Sequence, residues 1–118
     1  MDKLSNFDLR AGAELLTYLV ASQLLAKSVT GDWLAIEQVV ESERIWQEAN
    51  GGRADWLQRV SIASWAQAVA EKVDAKFPIM LGVESVDVMF SENPRLDFRA
   101  PFVRAVYQIC LNHLAQMY

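Results

Sequence analysis

Cys110 and His113 are the side chains best suited to chemistry, and they lie three residues apart near the end of the sequence. In a helix this spacing places them on one face, where a thiolate–imidazole pair can form. Both fall within an apolar stripe, however, and a free cysteine there usually packs as a small hydrophobic side chain. The C-terminal end of a helix dipole also disfavours a thiolate. We therefore interpret Cys110 as a core residue.

A metal site or a histidine base is the other chemistry that this pair offers. Structural zinc requires four ligands, whereas the chain has one Cys and one His, so only a symmetric dimer would supply enough. No Ser or Asp at helical spacing orients His113 as a base, and a histidine paired with a nearby acceptor is the simpler interpretation. The sequence predicts no catalytic residue, no cofactor and no metal.

Residues 8–28 are the stretch around which the other elements are expected to pack. On a helical wheel they are apolar almost all round, which indicates either a central core helix or a membrane span. The longest uncharged run, residues 15–26, has 12 residues, against roughly 20 for a bilayer. We predict a core helix that ends at Thr30-Gly31, with Asp32 as the cap of the next helix.

The remaining pattern predicts three more helices, over residues 33–49, 54–76 and 102–117. Alternation and turn residues within 78–99 predict a small β-hairpin. The fold class is thus mainly α: a four-helix bundle-like single domain of residues 1–118, with the hairpin inserted before the last helix. The predicted apolar face of the second helix consists of Trp33, Ala35, Ile36, Val39, Val40 and Trp46.

The net charge of −4 resides entirely in the first 52 residues. This distribution disfavours a nucleic-acid binder, which needs a basic surface. A single cysteine and the absence of a recognisable signal peptide predict a cytoplasmic protein with no membrane association.

Four residues are the candidates for binding a partner. Glu37, Glu41 and Glu48 share a narrow sector of the second helix with Arg44, and this sector either steers a basic protein or is a solvated face. Trp65 lies off the apolar stripe of the third helix, and an exposed tryptophan is a frequent interface anchor.

Two further charge patterns remain open. Glu43 and Arg59 fall on the inward faces of their helices, as a buried ion pair or as residues that extend to water. Arg95, Arg99 and Arg104 form a loose basic group that is either a solvated edge or a weak nucleic-acid contact.

We interpret the chain as a non-catalytic protein–protein interaction module, such as a stoichiometric inhibitor, an immunity-type protein or an accessory subunit. The nearly all-apolar first helix and Trp65 also predict a homodimer. The alternative is a small helical enzyme or ligand-binding bundle with a pocket near Tyr107, Cys110 and His113, where carboxylates could perform acid–base chemistry.

Overall fold

The computed structural model of the chain describes residues 9–50, 62–76, 90–92 and 95–117. These parts form four helices and two short strands. In chain order they are α1 (Leu9–Thr30), α2 (Ile36–Ala49), α3 (Ala63–Lys76), β1 (Phe90–Glu92), β2 (Arg95–Leu96) and α4 (Pro101–Met117). The described part of the chain is therefore mainly α and bundle-like, as the sequence predicts.

Helix α1 is the core helix, since it packs against α2, α3 and α4. Its interior positions include Leu15, Leu16 and Leu19, all fully buried. Thr17 is equally buried, and its hydroxyl donates to the carbonyl oxygen of Ala13 at 2.6 Å, so its polar group is satisfied within the helix. Among the described helices, none has the length and apolar character needed to cross a bilayer.

The end of α1 confirms the predicted stop. Gly31 has a φ of +86°, a conformation that suits glycine, and its N–H donates to the carbonyl oxygen of Lys27 at 2.9 Å. The predicted cap at Asp32 is wrong, because α2 begins at Ile36 and Ala35 is the residue before it. The Gln38 side chain serves the start of α2 instead, accepting from the Ala35 N–H at 3.2 Å.

The linker between α1 and α2 is held by a buried amide. Gln23 Oε1 accepts from the Leu34 N–H at 2.6 Å, and Gln23 Nε2 donates to the Leu34 carbonyl oxygen at 3.4 Å. Gln23 is only 1% exposed. Both backbone groups of Leu34 are thereby used outside a helix, which explains why α2 starts after Leu34 and not at Trp33.

The predicted apolar face of α2 is only partly an inner face. Val39 and Trp46 are buried, whereas Ile36 and Val40 are 53% and 49% exposed. Val39 and Trp46 are seven residues apart and so lie on one line along the helix. Because α2 packs against α1 and α3 along that line, side chains flanking it reach solvent.

Helices α3 and α4 complete the core. The sequence predicts an apolar stripe on α3 made of Ile62, Ala63, Ala66, Val69, Ala70, Val73 and Phe77. Its members up to Val73 are all buried. Phe77 and the predicted first part of the helix, residues 54–61, lie outside the described residues. The buried positions of these two helices are Ile62, Ala63, Ala66, Val69, Ala70, Val73, Phe102, Val103, Val106, Cys110 and Leu114.

The segment before α4 contains one short antiparallel pairing. Phe90 is paired with Leu96 and Glu92 with Arg95, and residues 77–89 lie outside the described residues. A pairing of this size forms no sheet layer, so the hairpin predicted over 78–99 stays a prediction. The segment is attached to α4 by an edge-to-face contact of Phe98 with Tyr107, whose ring centroids are 5.6 Å apart.

Candidate functional site: the outer surface of α2 and the α3–α4 contact

The acidic sector of α2, defined as Glu37, Glu41, Arg44 and Glu48, is exposed along its whole length. Successive members are three or four residues apart, so they share one side of the helix. Three carboxylates against one guanidinium give the acidic sector a net charge of −2. The structure therefore places all three predicted glutamates on one solvent-facing surface.

Arg44 joins two of these carboxylates into a network. Its Nη2 donates to Glu41 Oε2 at 2.5 Å and its Nε to Glu41 Oε1 at 3.1 Å. Its Nη1 donates to Glu48. The hydrogen bonds from Arg44 lower the pKa of Glu41, and those to Glu41 raise the pKa of Arg44. Glu41 and Glu48 are thus held in place by a side chain of their own helix.

An apolar pair, Ile36 and Val40, lies beside the acidic sector. The two residues are one turn apart, so their exposed side chains form one strip along α2. Around the helix, at 3.6 residues per turn, Arg44 and Glu37 border this strip on the outer side and Glu43 borders it towards the core. The sequence analysis assigned Ile36 and Val40 to the interior, and so it missed this surface.

Glu43 is half-buried, and burial raises the pKa of its carboxyl. Within the described part of the chain, no cation is placed against it. Its proposed partner, Arg59, lies outside the described residues. The structure shows Glu43 partly buried, and the choice between a buried ion pair with Arg59 and residues that extend to water stays open.

Trp65 does not meet the expectation of an exposed anchor, because it is half-buried against the core. Its ring makes an edge-to-face contact with His113 of α4, with centroids 5.6 Å apart and an interplanar angle of 65°. A role in partner binding stays a prediction. Of the other tryptophans, Trp46 is buried, Trp33 is half-buried and Trp56 lies outside the described residues.

His113 lies at the contact between α3 and α4. Its Nε2 is buried and makes no hydrogen bond within the described part of the chain, which differs from the paired histidine that the sequence suggests. Burial lowers the pKa of His113, and the positive charge of Lys72 lowers it further. The side chain is therefore a neutral imidazole at neutral pH.

Cys110 and Tyr107 have neighbours different from those of His113. Cys110 is fully buried beside Thr17 of α1, and burial raises the pKa of its thiol to about 12. Tyr107 packs on Phe98 and is about 120° around the helix from His113. The three side chains thus do not converge on one space, and the described residues contain no cluster of three metal-ligating side chains.

The predicted basic group is partly neutralised. Arg99 Nε donates to Asp97 Oδ1 at 2.9 Å, while Arg104 is exposed. The side chain of Arg95 lies outside the described part of the chain.

No protein-family model, curated protein or solved structure matches the chain.

Proposed function

We propose that this protein is a non-catalytic interaction module that binds a basic partner protein through the outer surface of α2. The observation that carries the proposal is the exposed pair Ile36 and Val40, set between Glu37 of the acidic sector and the half-buried Glu43. Apolar contact area bordered by charge is the usual composition of a protein–protein interface. The candidate roles are those of a stoichiometric inhibitor, an immunity-type protein or an accessory subunit.

The acidic sector is suited to the approach of a basic partner. Exposed charges act mainly on the association rate, and salt screens them. Because Arg44 already orders Glu41 and Glu48, less side-chain freedom is lost when a partner cation docks. Ile36 and Val40 then supply short-range contacts that charge alone does not give.

The first experiment is affinity capture of a partner protein from cell lysate. It compares the wild-type protein with two double variants, Glu37→Lys/Glu41→Lys and Ile36→Ser/Val40→Ser. Glu71→Lys is the control for a charge reversal, because Glu71 is exposed on a different helix, α3. We expect the same protein to be retained by wild type and the control and lost from both double variants. Equal loss from Glu71→Lys would show that only net charge matters.

The second experiment measures association and dissociation rates with the purified partner. The Glu37→Lys/Glu41→Lys variant should associate more slowly at low salt while its dissociation rate and folding are almost unchanged. The wild-type association rate should also fall as ionic strength rises. An unchanged association rate for the variant at low salt would reduce the acidic sector to a solubility feature.

Two further parts of the proposal concern assembly and location. A homodimer in the absence of a partner is expected, and a monomeric mass by light scattering at high micromolar concentration would contradict it. The proposed location is the cytoplasm, and the single, fully buried thiol of Cys110 supports it, because such a thiol fits a reducing compartment.

A further inference from the structure

The chain contains a single histidine, and it occupies the contact between α3 and α4. His113 packs edge to face on Trp65, and its buried Nε2 has no acceptor in the described part of the chain. A neutral imidazole tolerates this position, since only one of its ring nitrogens carries a hydrogen. An imidazolium has a hydrogen on both nitrogens, so one N–H would be buried without an acceptor, which is costly.

The charged and titratable groups around His113 make a proton still less favourable there. Lys72 faces it from α3, and its positive charge repels an imidazolium. Among the described residues, no charged side chain of α1 shifts the pKa of His113. On α4 itself the titratable neighbour is Cys110, whose buried thiol stays neutral. Nothing described at this contact therefore compensates a positive charge.

We propose that His113 is an acid-sensitive latch that holds the C-terminal half of α4 against α3. With a neutral ring the latch is closed on Trp65. A proton taken up from solvent at Nε2 gives the ring a charge that the closed contact does not accommodate. The C-terminal half of α4 then separates from α3 and also from Thr17 of α1, which exposes Trp65 and Cys110. The latch involves neither α2 nor its partner and is independent of the function proposed above.

The direction of the pH effect follows from proton linkage. Because the pKa of His113 is lowered in the closed state, closing the latch releases a proton. The closed state keeps its full stability above about pH 6.5, the ordinary pKa of histidine, and loses it as the pH falls from there towards the lowered pKa. The population of the open state rises by at most about tenfold for each unit by which the pKa is lowered.

Two measurements test the latch on the full chain. The ring protons of the single histidine report its titration by NMR, and we expect a midpoint below that of an unfolded control. Cys110, the single cysteine, reports opening through its labelling rate with a pyridyl disulfide that reacts with thiols in acid. Relative to the denatured chain at the same pH, labelling should accelerate on acidification.

Three variants decide between the latch and general acid unfolding. His113→Phe keeps a ring on Trp65 but takes up no proton, so its relative labelling rate should stay flat with pH; His113→Gln repeats the comparison if Phe does not fit. Lys72→Gln should raise the His113 midpoint and reduce the acceleration, while Arg104→Gln, which removes one charge elsewhere on α4, should change neither. An ordinary midpoint in wild type, or the same acid acceleration in His113→Phe, would overturn the proposal.

Discussion

Helices α1 and α2 make opposite use of their apolar residues. Twelve of the 22 residues of α1 are buried, against two of the 14 in α2. The difference follows from their neighbours, because α1 packs against α2, α3 and α4, whereas α2 packs against α1 and α3. Apolar residues of α1 therefore stabilise the fold, whereas two of those on α2, Ile36 and Val40, are exposed at the surface. Substitutions in the two helices should differ accordingly.

The largest effect is expected in α1 from Leu19→Ala. Leu19 is 1% exposed, so truncation removes buried apolar area and opens a cavity in the central helix. We expect a loss of about 2–5 kcal/mol in the free energy of unfolding, measured by urea denaturation. A midpoint close to wild type would mean that α1 is not the centre of the core.

The next effect concerns the tie between the two helices. Gln23→Ala should leave the N–H and carbonyl of Leu34 without their partner and cost about 1–3 kcal/mol. Gln23→Leu also removes these hydrogen bonds but keeps most of the side-chain volume, so its loss of stability reports the hydrogen bonds alone. The control is Gln38→Ala, since Gln38 also bonds a backbone N–H but is exposed. Equal losses in Gln23→Ala and Gln38→Ala would argue against a structural tie.

Within α2, two adjacent valines give the sharpest contrast. Val39 is 2% exposed and Val40 is 49% exposed. Val39→Ala should cost roughly 1–2 kcal/mol for the lost buried methyl groups. Val40→Ala should stay within about 0.5 kcal/mol of wild type, because alanine is the better helix former. Thermal denaturation of both variants measures the difference. A larger loss of stability in Val40→Ala than in Val39→Ala would mean that Val40, and not Val39, faces the core.

The smallest effect is expected from Glu43→Gln. Burial raises the pKa of Glu43 above its ordinary value of 4.5, so its charged form reduces stability at neutral pH. This cost decreases as the pH falls below the raised pKa and is gone below the ordinary pKa. The variant should therefore be slightly more stable than wild type near neutral pH and equal to it in acid. A lower melting temperature for Glu43→Gln at neutral pH would indicate that the carboxylate is paired.

The helical pattern predicted most of the core, because burial of α1 and of the α3 stripe repeats with the helical period. The same pattern was wrong for Ile36 and Val40. Periodicity identifies an apolar side of a helix, but how much of that side is covered depends on how many helices pack there. The width of the buried line on α2 was therefore not available from the sequence.

The candidate site was predicted only in part. The acidic sector was found because its spacing is local, within one helix. The contact of Trp65 with His113 joins residues 48 positions apart in the sequence, and local spacing carries no signal for it. Gln23 was also missed, since a polar residue in an apolar stretch gives no indication that its partner is a backbone group in a linker.

The two hydrogen bonds from the Gln23 side chain to the Leu34 backbone have a consequence for which substitutions the chain tolerates. They involve only main-chain atoms of Leu34, so they are indifferent to which side chain stands there, except proline, which has no N–H. These hydrogen bonds thus restrict position 23 and exclude proline at position 34, while the Leu34 side chain has its own apolar contact with the core. The amide proton of Leu34 should exchange with deuterium as slowly as helical amides do, although it lies between two helices. The hydrogen bonds of Gln23 thus help to fix where α2 starts relative to α1, and with it the surface that Ile36 and Glu37 present.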